Sequence, residues 1–295
     1  MNGYPVRTEG LGMSYGRTPA LHSISLDLAP DRIHGLLGRN AAGKTTLLSG
    51  LAALRPASAG TILIGGQDPF ENERLMEHIC LIRESGDFIP DRRLSSNLRY
   101  LQLARPTFDL DYAESLLEAF RLDPRKRAQT LSRGQASAFG AIAGLASRAP
   151  LTMFDEVHLG MDAPSRQRFY DELLKDFVEH PRTIILSSHL ISEVEHLLET
   201  VTILHDGNVL LADEADALRT RGATLTGPSA LVDQHADGQT VVGLRDLGPT
   251  RQVTVFGDLD EESLRSAQAD GIQVGSVPLQ DLFIHLTNDE PREGS

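Results

Sequence analysis

Short apolar runs alternate with longer runs of helical periodicity along the first two-thirds of the chain. We interpret residues 33–37 as a buried strand, and residues 61–64, 151–154 and 183–187 as further strands. Helical patterns cover residues 45–54 and 163–178, and the segment from about 91 to 145 is mainly helical. Residues 201–211 hold Asp206 and Gly207 between two apolar runs, which predicts a hairpin. The alternation of strands and helices predicts an α/β fold.

The composition changes near Arg221. Residues 222–248 are rich in glycine, threonine, aspartate and glutamine, and they precede a strand candidate at 253–256 and helix candidates at 260–269 and 279–286. We therefore predict two domains, a larger one of residues 1–220 and a C-terminal accessory domain of residues 221–295.

Composition and charge narrow the class of protein. The 295 residues are 40% apolar, which is sufficient for a normal core. The formal net charge of −13 disfavours a broad nucleic-acid-binding face, although a local phosphate site needs only backbone dipoles and one or two cations.

The single cysteine, Cys80, excludes an intramolecular disulfide and suits a reducing compartment. The N-terminus lacks a signal-peptide pattern and no apolar run approaches the roughly 20 residues that span a bilayer, so we expect any role at a membrane to need a partner.

A glycine-containing loop follows the strand predicted at 33–37 and fits the pattern G-x-x-x-x-G-K-[ST]. Such a loop turns successive backbone N–H groups towards a phosphate, and the following helix presents its positive end to the same anion. Lys44 is expected to reach the β and γ phosphates, and the Thr45 hydroxyl to ligate Mg²⁺. The predicted nucleotide-binding residues of this segment are Gly38, Arg39, Asn40, Ala41, Ala42, Gly43, Lys44, Thr45 and Thr46.

Two carboxylates end the strand predicted at 151–154. In proteins with such a phosphate loop, an acid at this position holds Mg²⁺, which is the role predicted for Asp155. Glu156 is then placed to orient or deprotonate the attacking water. The loop and the acids alone predict a nucleotide-binding protein, a class that includes GTPases and small-molecule kinases.

A third segment makes the chain resemble the ATP-binding cassette (ABC) family. It resembles the family's LSGGQ signature and comprises Leu131, Ser132, Arg133, Gly134 and Gln135. The segment lies about twenty residues before Asp155 and precedes a helical run of small residues at 136–146. Taken singly, the segment could also be an ordinary helix cap.

Other positions extend the resemblance over about residues 6–218. His189 matches the family's switch histidine, and residues 159–162 match the loop that follows the catalytic glutamate. Tyr15 stands where the family stacks an aromatic ring on adenine. Each has a simpler alternative, since Tyr15 could be a core residue and His189 a hydrogen-bonded histidine at a strand end.

The resemblance implies a P-loop NTPase fold. Its parts are a mainly parallel core sheet, an antiparallel N-terminal β-subdomain, a helical subdomain at about 85–145 that bears the signature, and a small α+β C-terminal appendage. The implied ligands are ATP and Mg²⁺, with Thr45, Asp155 and Glu84 as metal ligands.

The resemblance also implies an assembly and a place in the cell. Two cassettes, identical or different, sandwich ATP between the phosphate loop of one and the signature of the other, so that Ser132 and Gly134 contact the γ-phosphate of the partner. Glu156 activates water and His189 senses the γ-phosphate. The sequence as a whole resembles bacterial export-type cassettes with ABC-2-like partners. This resemblance implies an ATPase subunit that drives a separately encoded permease and lies on the inner face of the cell membrane. Nucleic acid is not an expected partner.

Four positions depart from the family pattern. Ala41 replaces a glycine, which strains the loop if that position needs a positive φ angle. Arg133 replaces the second signature glycine, where it either adds positive charge near the γ-phosphate, the role that we favour, or points to solvent. Glu84 stands where the family has glutamine, and Val157 where it prefers proline.

Two alternatives to a transporter ATPase stay open at this point. One is a cassette ATPase that acts on nucleic acid or ribosomes, which the acidic charge and the single cassette disfavour. The other is a regulatory module that binds ATP as a switch with little turnover, which Glu84 and Arg133 favour.

Overall fold

The chain folds into two compact units. In a computed structural model, residues 3–84, 88–257 and 261–287 are described. The first unit is drawn from Met1–His189 and Leu204–Val209, and the second from Leu190–Ile203 and Leu210–Ser295. The predicted domains, 1–220 and 221–295, stay a prediction.

The described residues form strands and helices in alternation, as the hydrophobic pattern predicts. The strands are β1 (Val6–Tyr15), β2 (Thr18–Leu28), β3 (Ile33–Gly38), β4 (Ala59–Ile64), β5 (Ile79–Arg83), β6 (Leu151–Asp155), β7 (Thr183–Ser188), β8 (Thr200–His205), β9 (Asn208–Glu214), β10 (Gly222–Pro228), β11 (Val241–Leu247), β12 (Thr250–Phe256) and β13 (Gln273–Ser276). The helices are α1 (Lys44–Leu51), α2 (Glu73–Met76), α3 (Leu94–Ala104), α4 (Leu110–Ala119), α5 (Arg133–Ser147), α6 (Ala163–Glu179), α7 (Ile191–Val194), α8 (Ala215–Thr220), α9 (Ser229–Ala236), α10 (Glu261–Ala269) and α11 (Leu279–Thr287). Short 3₁₀ turns lie at Ala128–Thr130 and Val157–Gly160.

The described residues include a six-stranded, mainly parallel sheet. Its strand order is β5-β6-β7-β3-β8-β9, and the first four strands are parallel. Every residue of β3, β6 and β7 is buried. A parallel sheet covered on both faces needs continuous apolar strands, and this is the pattern from which the strands were predicted. The predicted mainly parallel core sheet is confirmed.

An antiparallel sheet of order β2-β1-β4 lies at the N-terminal end of the chain, as the resemblance implied. Its buried residues share a core with α1, in which Leu11 and Met13 accompany Leu47 and Leu48. The hydrophobic pattern alone did not predict β1 and β2, because their burial alternates irregularly and the pairing of the two strands shifts register three times.

Helices α3 and α4 lie within the range predicted for the helical subdomain, 85–145, and α5 begins in it and ends two residues beyond it, at Ser147. Residues 85–87 of that range are outside the described residues. Helix α5 is buried from Ser137 to its end at Ser147. It is the helix that starts at the signature-like segment, and it packs against β5 and β6.

The second unit contains a small α+β fold. Its sheet has the order β11-β12-β10-β13 with antiparallel pairs throughout. The chain order β10-α9-β11-β12-α10-β13 therefore gives the split βαβ arrangement known as ferredoxin-like. Apolar residues of β10 and β12, such as Leu225 and Val253, pack against Val232 of α9 and Ala267 of α10. The predicted α+β appendage is confirmed, although Asp260, the first residue of one predicted helix, lies outside the described residues.

No helix in the described part of the chain combines the length and apolar character needed to cross a bilayer.

Candidate active site

The carboxyl ends of four parallel strands meet at one edge of the central sheet. The register places Arg83 of β5 beside Asp155 of β6, Asp155 beside Ser187 of β7, and Ser187 beside Leu36 of β3. The predicted site residues Glu84 and Glu156 follow these positions by one residue, and His189 and Gly38 follow them by two. Ligands in open α/β sheets bind outside the carboxyl ends of the strands, which is where these residues lie. Sequence positions that lie far apart are thereby brought to one edge.

The predicted phosphate loop connects β3 to α1. Gly43 precedes the helix with a φ angle of 106°, a backbone conformation that only glycine adopts without strain. Ala41, in contrast, has a φ angle of 66°, so the alanine that replaces a glycine sits in the left-handed region. The loop is therefore built as the motif requires, with strain at Ala41.

A cleft of about 680 Å³ opens over this loop. Its lining residues are Thr18, Pro19, Ala20, His22, Asn40, Ala41, Ala42, Gly43, Lys44, Thr45, Thr46, Glu156, Asp206 and Gly207. Thr45 is exposed at the first turn of α1, whereas Thr46 is buried. Since the backbone N–H groups at the start of α1 face the same region, the cleft is suited to an anion.

Lys44 is buried and makes three polar contacts. Its Nζ donates to the carbonyl oxygens of Gly38 at 2.7 Å and Arg39 at 3.1 Å, and it lies 3.0 Å from Oε1 of Glu156. The ammonium is thus fixed at the mouth of the loop, where its charge is balanced by one carboxylate.

Glu156 lies between two basic side chains. Nδ1 of His189 is 3.2 Å from the same Oε1 that contacts Lys44. Burial alone would raise the pKa of Glu156, but the hydrogen bond and charge of Lys44, together with His189, hold this pKa below its usual value. The group is therefore an ionised carboxylate at neutral pH, the state that a general base requires.

Asp155 is buried and anchored to the neighbouring strand. The Ser187 hydroxyl donates to Oδ1 of Asp155 at 2.6 Å, and the Ser187 oxygen accepts from the backbone N–H of Glu156 at 3.1 Å. Carboxylate and hydroxyl oxygens are the ligands that Mg²⁺ prefers. Asp155 and the exposed hydroxyl of Thr45 therefore fit the predicted metal role.

The signature-like segment starts α5 and forms a capping box. The backbone N–H of Gln135 donates to the Ser132 hydroxyl at 3.2 Å, and the Gln135 side chain accepts from the N–H of Ser132 at 3.3 Å. A Cβ on Gly134 would lie 2.9 Å from the carbonyl oxygen of Gly160, so the glycine allows close approach to the loop at 159–162. A second cleft of about 640 Å³ lies here, and its lining includes Ser132, Gly134 and Asp162.

Two of the departures from the family pattern contact each other. The guanidinium of Arg133 forms an ion pair with Oε1 of Glu84, and Nε of Arg133 donates to this oxygen at 2.8 Å. The side chain of Arg133 is 75% exposed and that of Glu84 is 32% exposed. In this structure Arg133 thus balances the charge that Glu84 adds, and Glu84 fits the metal role only when Arg133 releases it.

Tyr15 is half exposed beside the loop, and its position is fixed from two sides. Its hydroxyl lies 3.4 Å from Oγ1 of Thr46, and the Arg55 guanidinium lies 4.1 Å from the ring centroid. Sequence reasoning missed Arg55, which has no motif of its own. Arg55 lies over one face of the Tyr15 ring. Stacking on adenine, which the resemblance implied, would therefore use the other face.

Sequence reasoning also missed three polar residues next to the acids. They are His158, Ser187 and Ser188, which link the ends of β6 and β7. Their proximity to the predicted site residues in the sequence was the available signal, but small polar residues at strand ends are too common to be distinctive.

The comparisons with known sequences agree on one family. The profile of a family described as "ABC transporter" matches residues 21–158. The chain is 29% identical over 226 residues to the bacitracin transport ATP-binding protein BcrA of Enterococcus faecalis, covering 76% of this chain and 73% of that protein. It is 27% identical to the daunorubicin resistance ATP-binding protein DrrA3 of Streptomyces coeruleorubidus, covering 97% of each chain.

Solved structures share the fold. The ATP-binding subunit of an ABC transporter matches with a TM-score of 0.67 at 22% identity, covering 73% of this chain and 92% of that one. A dimeric bacterial ABC transporter cassette matches with a TM-score of 0.64 at 17% identity, covering 71% of this chain and 98% of that one. At these identities the match concerns the fold.

Proposed function

We propose that the chain is an ATP-binding protein of the ABC transporter family and that it hydrolyses ATP to energise transport through a separately encoded membrane permease. The match of residues 21–158 to that family and the similarity to BcrA support the proposal. One observation carries the proposal: an ionised glutamate, Glu156, lies at the edge of an anion-suited cleft between a buried lysine and a histidine. A cleft that only bound phosphate would have no need for a carboxylate, which repels anions. The carboxylate is explained when it acts on a water molecule.

In this proposal each group has a role that its contacts support. The triphosphate occupies the cleft and takes the Lys44 ammonium away from Glu156, which frees the carboxylate. Glu156 then accepts a proton from the attacking water. His189 keeps its contact with Glu156 and responds to the γ-phosphate. Mg²⁺, held by Thr45 and Asp155, would supply positive charge to the phosphates.

The partners follow from the same proposal. The second cleft, beside Ser132 and Gly134, receives the γ-phosphate of a second cassette, identical or different, and the permease subunits bind the pair at the inner face of the membrane. A dimeric cassette among the structures of the same fold supports this arrangement. Residues 221–295 form the accessory domain in this proposal.

The decisive test removes the carboxylate alone. We expect Glu156→Gln to lower ATP hydrolysis by about 100-fold or more while ATP binding persists, since general bases typically contribute that much. Hydrolysis is measured as phosphate release by the purified chain, alone and with its membrane partner, and binding with a fluorescent ATP analogue. Glu179→Gln, an exposed glutamate at the end of α6, is the control and should change neither. Equal turnover by Glu156→Gln and the unaltered chain would refute the proposal.

A second candidate is a nucleotide switch with little turnover. The observation in its favour is the Arg133–Glu84 ion pair, which occupies a predicted metal ligand. If the unaltered chain with its partner binds ATP but releases no phosphate, the switch is the better assignment.

A further inference from the structure

His158 is a fully buried histidine next to the proposed base. It belongs to the 3₁₀ turn Val157–Gly160 that directly follows Glu156, and its Nε2 lies 3.0 Å from the hydroxyl of Ser188. The other ring nitrogen, Nδ1, has no hydrogen-bond partner among the described residues. Nothing in the proposed mechanism uses this ring.

Three successive residues at the end of β7, Ser187, Ser188 and His189, each contact the end of β6 or the turn after it, and the contact of His158 is with the middle one. The residues on either side of Ser188 both hold the acid pair, because Ser187 bonds to Asp155 at 2.6 Å and His189 lies 3.2 Å from Glu156. The end of β7 is thus joined to the end of β6 and the turn after it at three successive positions. His158 supplies the link that connects the turn to the residue before His189.

The backbone at Glu156 needs such support. Its φ angle is 53°, in the left-handed region that strains the backbone of a non-glycine residue. The N–H of Glu156 is held by Ser187, and the turn that follows is held at His158. Without the second contact, the turn would have more freedom to move relative to β7.

Packing alone does not account for a histidine here. Burial lowers the pKa of His158 to about 4, so the ring is neutral at physiological pH. A buried polar ring with an unpaired nitrogen is less favourable than an apolar side chain of similar size. We therefore attribute the histidine at position 158 to its hydrogen bond with the Ser188 hydroxyl.

We propose that His158 is a positioning residue that, through Ser188, fixes the distance between His189 and Glu156. The inference rests on the proposed function, in which Glu156 and His189 take part in ATP hydrolysis.

The test compares two variants at His158 with one at its partner. His158→Leu removes the hydrogen bond, His158→Gln can restore it from a similar position, and Ser188→Ala removes the hydroxyl with little change in shape. We expect His158→Leu and Ser188→Ala each to lower kcat about tenfold with KM and ATP affinity nearly unchanged, because one hydrogen bond that acts in the transition state is lost. His158→Gln should recover most of kcat, and the double variant should be no slower than either single one.

The control is a second buried histidine of the same unit. His34 of β3 lies 2.8 Å through Nε2 from the carbonyl oxygen of Ala29, at the end of the strand opposite the phosphate loop. We expect His34→Leu to lower the thermal midpoint without lowering kcat, which separates positioning from a general loss of stability.

Four results would overturn the positioning role. Unchanged kcat in His158→Leu with normal hydrolysis by the unaltered chain removes this role and leaves the proposed function standing. A multiplicative loss in the double variant, or an equal loss of kcat in His34→Leu, also removes it. Absence of hydrolysis by the unaltered chain, with ATP bound, removes the proposed function together with the positioning role.

Discussion

Two helices begin beside the two clefts, and their first turns differ in how they use their backbone donors. Helix α1 starts after Gly43, and no side chain in the described part of the chain caps it. Helix α5 starts at Ser132, where the capping box with Gln135 pairs two donors at the start of the helix. The backbone N–H groups at the start of α1 are therefore available to a ligand, whereas two N–H groups at the start of α5 are already hydrogen-bonded within the signature-like segment.

The cationic side chains beside the two helices, Lys44 and Arg133, also differ in how firmly their contacts hold them. Lys44 is 5% exposed and is held by two carbonyl oxygens as well as Glu156. Arg133 is 75% exposed and is held by Glu84 alone among the contacts described. Under the proposed function, the first cleft is therefore preorganised for triphosphate, while the second exchanges internal bonds for an incoming ligand.

The largest expected effect comes from removing one cation at a time. We expect Lys44→Met to raise the Kd for ATP about tenfold to a hundredfold, because a charge-assisted hydrogen bond contributes about 1.5–3 kcal/mol. Arg133→Met should raise the same Kd less than about threefold, since exposed ion pairs contribute at most about 1 kcal/mol. Titration with a fluorescent ATP analogue measures both. Equal effects would show that the clefts do not differ in preorganisation.

The phosphate loop could be predicted from sequence because its physical requirements are local. A strand, a glycine with positive φ and a helix start lie within a dozen residues, and the acids at Asp155 and Glu156 follow directly from a buried strand. The Asp206-Gly207 hairpin likewise depends on two neighbouring residues.

Features that depend on distant residues could not be predicted. Glu84 and Arg133 are 49 positions apart, and their pairing requires α5 to pack on β5. The strand β10 contains glycine and proline, which disfavour a strand on local grounds, and it forms because β12 and β13 pair with it on either side. The same reason explains why the ferredoxin-like arrangement was foreseen only as an α+β appendage.

A smaller effect tests the capping box. We expect Ser132→Ala to lower the free energy of unfolding by about 1 kcal/mol in the absence of nucleotide, because the first turn of α5 loses its cap. Thr45→Ala, at the corresponding start of α1, should change it by less than about 0.5 kcal/mol, since Thr45 is exposed and α1 has no cap to lose. Urea denaturation of the nucleotide-free chain measures both variants. A matching loss in Thr45→Ala would mean that α1 depends on its first turn as much as α5 does.

The smallest effect concerns the strain in the phosphate loop. Ala41 has a φ angle of 66° and is exposed, so Ala41→Gly removes backbone strain of about 1–2 kcal/mol without loss of packing. Glycine also gains entropy in the unfolded chain, about 0.4–1 kcal/mol, so the net gain in unfolding free energy should be about 0.5 kcal/mol. Ala42→Gly is the matched control, because Ala42 is 3% exposed and is not among the described residues with positive φ. Its loss of packing and its added unfolded-state entropy should lower the unfolding free energy by about 1 kcal/mol. Urea denaturation measures both variants. Changes of opposite sign in the unfolding free energy of the two variants would show that the loop forces Ala41 into a conformation that alanine itself disfavours.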